Sequence, residues 1–212
     1  MSSLPRAGSD GPRTQAERTA QSDRAMLDAA IELILERGTE KTTLAAIGER
    51  AGYSRGLATY RYGSKAGLFD AVCKSIGRRW LTYLEAGVGQ ATGIEAMTAA
   101  LDAFFRFMQE SPREAQVLHL LYCGAASPTS EYRETSRSIH LRQQRDVAEW
   151  VRAGIDDGSI RGDVDADSVA AQYIAYISGM TYLWVISPET VDFAQASDSM
   201  KNHLRRSLAA GA

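Results

Sequence analysis

The chain of 212 residues is 44% hydrophobic and 24% charged, which is ordinary for a soluble globular protein with one or two cores. Its formal net charge of −2 excludes a uniformly polycationic molecule. The charge is uneven, however, because residues 1–65 carry ten basic and eight acidic side chains, whereas the remainder carries fourteen and eighteen. This asymmetry favours a first part that faces a polyanion.

The N-terminal region predicts a mobile tail followed by a long helix. Residues 1–20 are rich in Gly, Pro, Ser and charged residues, so we expect them to be mobile. Ser22 is the predicted cap of a helix that runs to about Arg37, because the apolar residues in between follow helical spacing. Gly38 is predicted to end this helix.

The next stretch, TLAAIGERAGYSRGLATYRY, predicts two short helices joined by a tight turn. Thr42 or Thr43 would cap the first of them, and Ser54 would cap the second. Gly48 would let the two helices cross closely, and Gly52 suits a left-handed residue in the turn. This arrangement is a helix-turn-helix, the motif that places its second helix in the major groove of DNA.

The polar residues of the second short helix are candidates for DNA contact. An arginine near the start of this helix can bind guanine in the major groove, while hydroxyls and cations suit phosphates. The predicted base-reading residues are Arg55, Leu57, Thr59 and Tyr60, and the predicted backbone contacts are Thr43, Ser54, Arg61 and Lys65.

Three segments carry a resemblance to a known family. The segments AMLDAAIELILERG, TTLAAIGERAGYSRG and YRYGSKAGLFDAV, all within residues 24–74, resemble the N-terminal domain of TetR-family transcriptional regulators. Ala58 and Thr59 stand where that family commonly has Leu and Tyr. The resemblance implies an all-α fold in which a DNA-binding domain, residues 21–70, is joined to a helical ligand-binding and dimerisation domain, residues 71–212.

Helical periodicity and loop residues predict the rest of the chain. A fourth helix is expected from Ser64 to about Leu84, followed by helices at about 94–110, 113–123, 131–157, 167–186 and 191–208. Aromatic residues are frequent here, which indicates either ordinary core packing or a ligand pocket. The pocket candidates are residues near the middle of their helices: Phe104, Met108, Tyr122, Tyr173 and Tyr176.

The helix at 167–186 raises two further questions. Residues 168–188 carry no charge, so the segment is long enough to cross a bilayer, but its many polar residues and acidic flanks favour a helix buried within protein. Small residues on one of its faces suggest close packing against a second copy of the chain. The predicted dimer interface comprises Ala171, Ala175, Ser178, Tyr182 and, from the last helix, Leu204.

The sequence thus predicts a cytoplasmic, homodimeric regulator that binds double-stranded operator DNA, a repressor released by a small apolar or aromatic effector. The alternative is a small all-α enzyme or a protein-interaction module with a similar helical hairpin. The pattern contains no candidate catalytic set, no metal-ligand spacing and no cofactor motif, so none is expected. Cys73 and Cys123 lie in apolar stretches and are predicted to be buried thiols.

Overall fold

The computed structural model describes residues 14–210, which form nine α-helices and no β-strand, so the predicted all-α class is confirmed. Residues 1–13 of the predicted tail lie outside this range. Helices α1 to α3 pack with the first turns of α4 into an N-terminal bundle, and α4 continues into a second helical domain. The helices are α1 (Gln15–Lys41), α2 (Leu44–Arg50), α3 (Arg55–Tyr62), α4 (Lys65–Val88), α5 (Gly93–Glu110), α6 (Pro112–Ala125), α7 (Arg133–Asp156), α8 (Ala166–Ile186) and α9 (Phe193–Leu208).

The first helix begins earlier than predicted, at Gln15 instead of after Ser22. The Thr14 hydroxyl accepts a hydrogen bond from the Glu17 amide at 3.2 Å, and the Glu17 carboxylate accepts one from the Thr14 amide at 2.8 Å. This reciprocal pair is a capping box, which satisfies two amides at the start of the helix. Ser22 is instead buried within α1, so the last residues of the predicted tail are helical.

The turn between α2 and α3 has the geometry predicted from its glycines. Gly48 lies on α2 where the helices meet, and a Cβ added there would lie only 2.7 Å from the carbonyl oxygen of Ser54. Gly52 adopts φ +79°, a conformation that other residues rarely adopt. Ile47 and Ala58, one on each helix, are fully buried beneath the turn.

Substituting Gly48 is expected to loosen this motif. The alanine Cβ would meet backbone atoms that cannot move without separating the helices, so Gly48→Ala should lower the free energy of unfolding by about 1–3 kcal/mol. Urea unfolding followed by circular dichroism measures the change. The matched control is Gly56→Ala on α3, where a Cβ meets nothing within 4 Å and stability should hold or rise. Equal effects of the two substitutions would contradict close packing at Gly48.

The second domain is built around α5, whose buried face runs from Ile94 to Met108. Helix α9 packs on α5 through Phe105 and Phe193, whose rings stack at a centroid distance of 5.2 Å. Tyr173 on α8 is 2% exposed and donates its hydroxyl hydrogen to the Met97 carbonyl at 2.7 Å. These contacts fix α8 and α9 against α5. The five helices predicted after residue 90 all exist, and their ends lie within two residues of the prediction.

Helix α8 departs from the expected buried helix. Its length and composition would allow it to cross a membrane. Only 17% of its most apolar 18-residue stretch is buried within residues 14–210. Tyr182, Leu183 and Ile186 are 52%, 49% and 63% exposed. The expectation that the helix is buried is therefore wrong for the single chain, which covers one side of α8 and leaves an apolar face open.

Candidate nucleic-acid interface and ligand cavity

Helix α3 is held so that one of its faces projects from the N-terminal bundle. The Thr43 hydroxyl caps α2 by accepting a hydrogen bond from the Ala46 amide at 3.3 Å. Ser54 begins α3 with an extended backbone, but its hydroxyl makes no capping hydrogen bond. Both residues are exposed, as the predicted phosphate contacts require.

The projecting face of α3 presents three of the four predicted base-reading side chains. Arg55 and Thr59 are exposed, and Tyr60 is 84% exposed. A tyrosine this exposed packs little against residues 14–210, so its position favours a role in binding. Leu57 differs from the other three, because it is half-buried and packs against the core of the bundle.

Arg55 forms an ion pair within its own chain. Its Nε donates a hydrogen bond to the Glu49 carboxylate across the turn between α2 and α3, and both side chains are largely exposed. An exposed ion pair of this kind contributes at most about 1 kcal/mol. A guanine or phosphate can therefore displace Glu49 at small cost.

Two predicted backbone contacts are held within the bundle. Arg61 has a side chain only 22% exposed, and it binds the Asp23 carboxylate at 2.8 Å and the Ser22 hydroxyl at 3.2 Å. Lys65 donates to the Glu40 carbonyl at 2.9 Å. In this structure both cations join α3 and α4 to α1, so the predicted phosphate contacts of Arg61 and Lys65 would first require these bonds to break.

A network of charged side chains fixes α2 against α1. Arg50 makes two hydrogen bonds to the Glu36 carboxylate, at 2.7 and 2.8 Å, and a third to Glu32 at 3.3 Å. The bonds from Arg50 lower the pKa of Glu36, and those from Glu36 and Glu32 raise the pKa of Arg50. Glu32 also lies 3.8 Å from Arg113 at the start of α6. The DNA-binding bundle is thereby joined to the second domain.

The second domain contains a partly open cavity of about 150 Å³ between α4, α5, α6, α7 and α8. Its wall is mainly aromatic and aliphatic, which is typical of sites for small organic ligands. A cavity of this size holds roughly one aromatic ring. The lining residues are Trp80, Leu84, Ala100, Phe104, Phe107, Ala115, Leu118, His119, Tyr122, Gln143, Asp146, Val147, Trp150, Tyr173, Ile174, Ile177, Ser178 and Thr181.

A few polar groups interrupt the apolar wall. Burial lowers the pKa of His119, which favours the neutral form of its ring. Burial raises the pKa of Tyr122, whose hydroxyl therefore remains protonated. The His119 Nε2 atom lies 3.4 Å from Sγ of Cys123, and that thiol is exposed, which corrects the prediction that it is buried. Cys73 is buried as predicted.

The cavity includes three of the five predicted pocket residues, namely Phe104, Tyr122 and Tyr173. Met108 is fully buried in the core but is not among the residues that line the cavity. Tyr176 does not line it either, since its hydroxyl donates to the Ala196 carbonyl at 2.8 Å on the side facing α9.

Several lining residues were not predicted from the sequence. Trp80 and Trp150 lie on α4 and α7, two helices on which no pocket residue was expected. Their aromatic character was the available signal. Asp146 and Gln143 carried no signal of their own, because a polar residue on an amphipathic helix is usually solvated.

Four of the five predicted interface residues are exposed in the structure, and one is buried. Ala171, Ala175, Ser178 and Tyr182 are exposed along α8 and are available to a partner. Leu204 is only 4% exposed and belongs to the core of its own chain, so its assignment to the interface is wrong.

Comparison with known proteins identifies both domains. The profile for bacterial regulatory proteins of the tetR family matches residues 26–72, and the profile for the C-terminal domain of BetI-type transcriptional repressors matches residues 93–209. The regulator BetI of Rhizobium meliloti (strain 1021) is 32% identical over 158 residues, covering 74% of each chain.

Two further proteins extend this similarity over most of the chain. The regulator TtgR of Pseudomonas putida is 26% identical over 185 residues, covering 85% of this chain and 87% of TtgR. The structure of a SmeT–triclosan complex, SmeT being a Stenotrophomonas maltophilia efflux-pump repressor, superposes with a TM-score of 0.76. It is 20% identical and covers 89% of this chain and 91% of SmeT. The chain therefore belongs to the TetR family of bacterial regulatory proteins and is a DNA-binding transcriptional regulator.

Proposed function

We propose that the chain is a cytoplasmic, homodimeric repressor that binds operator DNA through residues 21–70. A small apolar or aromatic effector in the cavity of residues 71–212 would release it. Two features of the same chain support the proposal: α3 has an exposed face suited to DNA, and the second domain contains a largely apolar cavity. The proposal assigns no enzymatic activity to the chain, in keeping with relatives that are transcriptional regulators.

The open face of α8 supports the dimer. Ala171, Ala175 and Ser178 form a small-residue surface, and Tyr182 and Ile186 extend it with exposed apolar area. Small residues allow two helices to approach closely, and burying the larger ones would remove apolar surface from water. A two-fold dimer would also present two copies of α3, which suits half-sites about 34 Å apart on DNA.

Helix α4 supports a coupling between effector and DNA. Leu68 and Phe69, in its first turns, are fully buried in the DNA-binding bundle. Trp80 and Leu84, further along the same helix, line the cavity. An effector that displaces this wall would therefore move an element of the DNA-binding bundle. A coupling free energy of about 1–3 kcal/mol is enough for a useful change in operator affinity.

DNA selection tests the proposed regulator directly. The full-length protein is used to select duplexes from a random-sequence pool, and fluorescence anisotropy then measures affinity at about 50 and about 200 mM salt. We expect a two-fold symmetric sequence with half-sites one helical turn apart, bound far more tightly than unrelated duplex. If roughly six or more phosphates are contacted, affinity should fall about a thousandfold between these salt concentrations. Equal affinity for all duplexes would contradict the proposal.

Filling the cavity is expected to remove the response to an effector. Ala100 lines the cavity and is 4% exposed, so Ala100→Leu adds three carbon atoms to a space that holds roughly one ring. The variant should bind a single-ring effector at least tenfold more weakly while retaining operator affinity without ligand. The measurement is operator anisotropy as a function of effector concentration. Met108→Leu is the control, because Met108 is buried outside the cavity and its replacement should leave the response intact.

A further inference from the structure

The cavity wall carries a charge of one sign only. Among the eighteen lining residues, Asp146 is the one acidic side chain, and neither lysine nor arginine is present. Burial lowers the pKa of His119, which favours the uncharged form of its ring. The wall itself therefore offers a ligand one carboxylate and no lysine or arginine, while Arg142 lies near enough to Tyr122 and Asp146 to act on both electrostatically.

Asp146 lies where a ligand can reach it. Asp146 lies on α7 and lines the cavity, yet it is also exposed to solvent. It therefore lies at the mouth of the cavity. Partial burial and the neighbouring Glu149 raise the pKa of Asp146, while Arg142 and Arg145 on the same helix oppose this rise. Both arginines are exposed, and among residues 14–210 neither forms a salt bridge with Asp146. The carboxylate is thus left without a direct cationic partner.

The aromatic residues of the wall also favour a positive charge. Trp80 forms edge-to-face pairs with Phe104 and Phe107, with centroid distances of 6.1 and 5.8 Å. Trp150 lies one helical turn beyond Asp146 on α7 and lines the same space. The faces of aromatic rings attract organic cations, and tryptophan does so most strongly.

We propose that this cavity binds a compact lipophilic organic cation, such as an aryl ammonium, whose charged end meets the Asp146 carboxylate and the aromatic wall. The inference rests on the proposed effector site and specifies its ligand class. The apolar part of such a ligand would fill the interior between α4 and α5. The charged end would stay near the mouth, where remaining water limits the cost of dehydrating it.

A pair of isosteric probes isolates the contribution of charge. Benzyltrimethylammonium and neopentylbenzene have the same shape, but the first carries a quaternary nitrogen where the second has a carbon. Binding to the full-length protein is followed by quenching of tryptophan fluorescence, since Trp80 and Trp150 line the cavity. Asp146→Asn should weaken binding of benzyltrimethylammonium about fivefold and change binding of neopentylbenzene less than about twofold.

The matched control is Asp156→Asn, which makes the same substitution at an exposed position at the end of α7 that does not line the cavity. It should leave both affinities nearly unchanged. The inference would be overturned if Asp146→Asn weakened both probes equally, if it weakened neither, or if the wild type bound neither probe. Operator binding by the same samples reports the regulator function separately. A protein that binds DNA and neopentylbenzene but not the ammonium would retain the proposed function without the cation.

Discussion

Ala175→Arg is expected to leave the chain monomeric and to abolish operator binding at concentrations that saturate the DNA with wild type. Ala175 is exposed at the centre of the small-residue surface of α8, between Ala171 and Ser178. An arginine there would prevent close approach of a partner helix and would bury a charge without a counterion, which is costly. A monomer presents one copy of α3, so it loses the second half-site.

Light scattering of the purified variant, with operator anisotropy on the same sample, measures both effects. Circular dichroism should show unchanged helicity, because Ala175 is exposed in the single chain and the substitution disturbs no contact within it. Ala86→Arg is the control, since Ala86 is also an exposed alanine within a helix but lies on α4. A dimeric Ala175→Arg protein that binds operator would show that the interface lies elsewhere.

Arg55→Ala is expected to weaken specific operator binding by about 1–3 kcal/mol and to relax the preference at one base pair. Arg55 is exposed at the start of α3, and among residues 14–210 its side chain is held by the ion pair with Glu49 alone. Removing a bidentate contact to a base costs discrimination at that position, whereas removing a phosphate contact weakens all sequences alike.

The measurement compares operator affinity for each single-base variant of the selected site. Arg78→Ala is the control, because Arg78 is also an exposed arginine but lies on α4, away from the recognition face. It should leave the pattern of base preference unchanged. A uniform loss across all sequences in Arg55→Ala would assign Arg55 to the phosphate backbone, and no loss would remove it from the interface.

The parts of the fold that were predicted correctly depend on local physical rules. Gly48 and Gly52 were assigned from the needs of a close crossing and a tight turn, and both needs arise within a few residues of the glycine. The caps at Thr43 and Ser64 likewise join a side chain to an amide three residues away. The start of α1 was missed because the polar, glycine-rich stretch before it outweighed a local capping box.

The side chains that were misassigned depend on distant partners. The phosphate contact expected of Arg61 stays a prediction, although in the structure Arg61 is held by Asp23 at a separation of 38 residues. Met108 and Tyr176 lie near the middle of their helices, yet that position along a helix does not decide which neighbour a side chain faces. Leu204 follows the helical spacing of the apolar residues on α9, which suggested an interface. In the structure it is buried in the core of its own chain.

The continuity of α4 has a geometric consequence for the operator complex. A helix of 24 residues is about 36 Å long, so a tilt of about 5° around its cavity end displaces its other end by about 3 Å. That displacement is close to the rise of one base pair along the DNA axis. In a two-fold assembly the shift would occur in both chains. The distance between the two copies of α3 would then no longer match the spacing of successive major grooves. A movement too small to disrupt the packing around Trp80 would thus be amplified to the scale of a base-pair step.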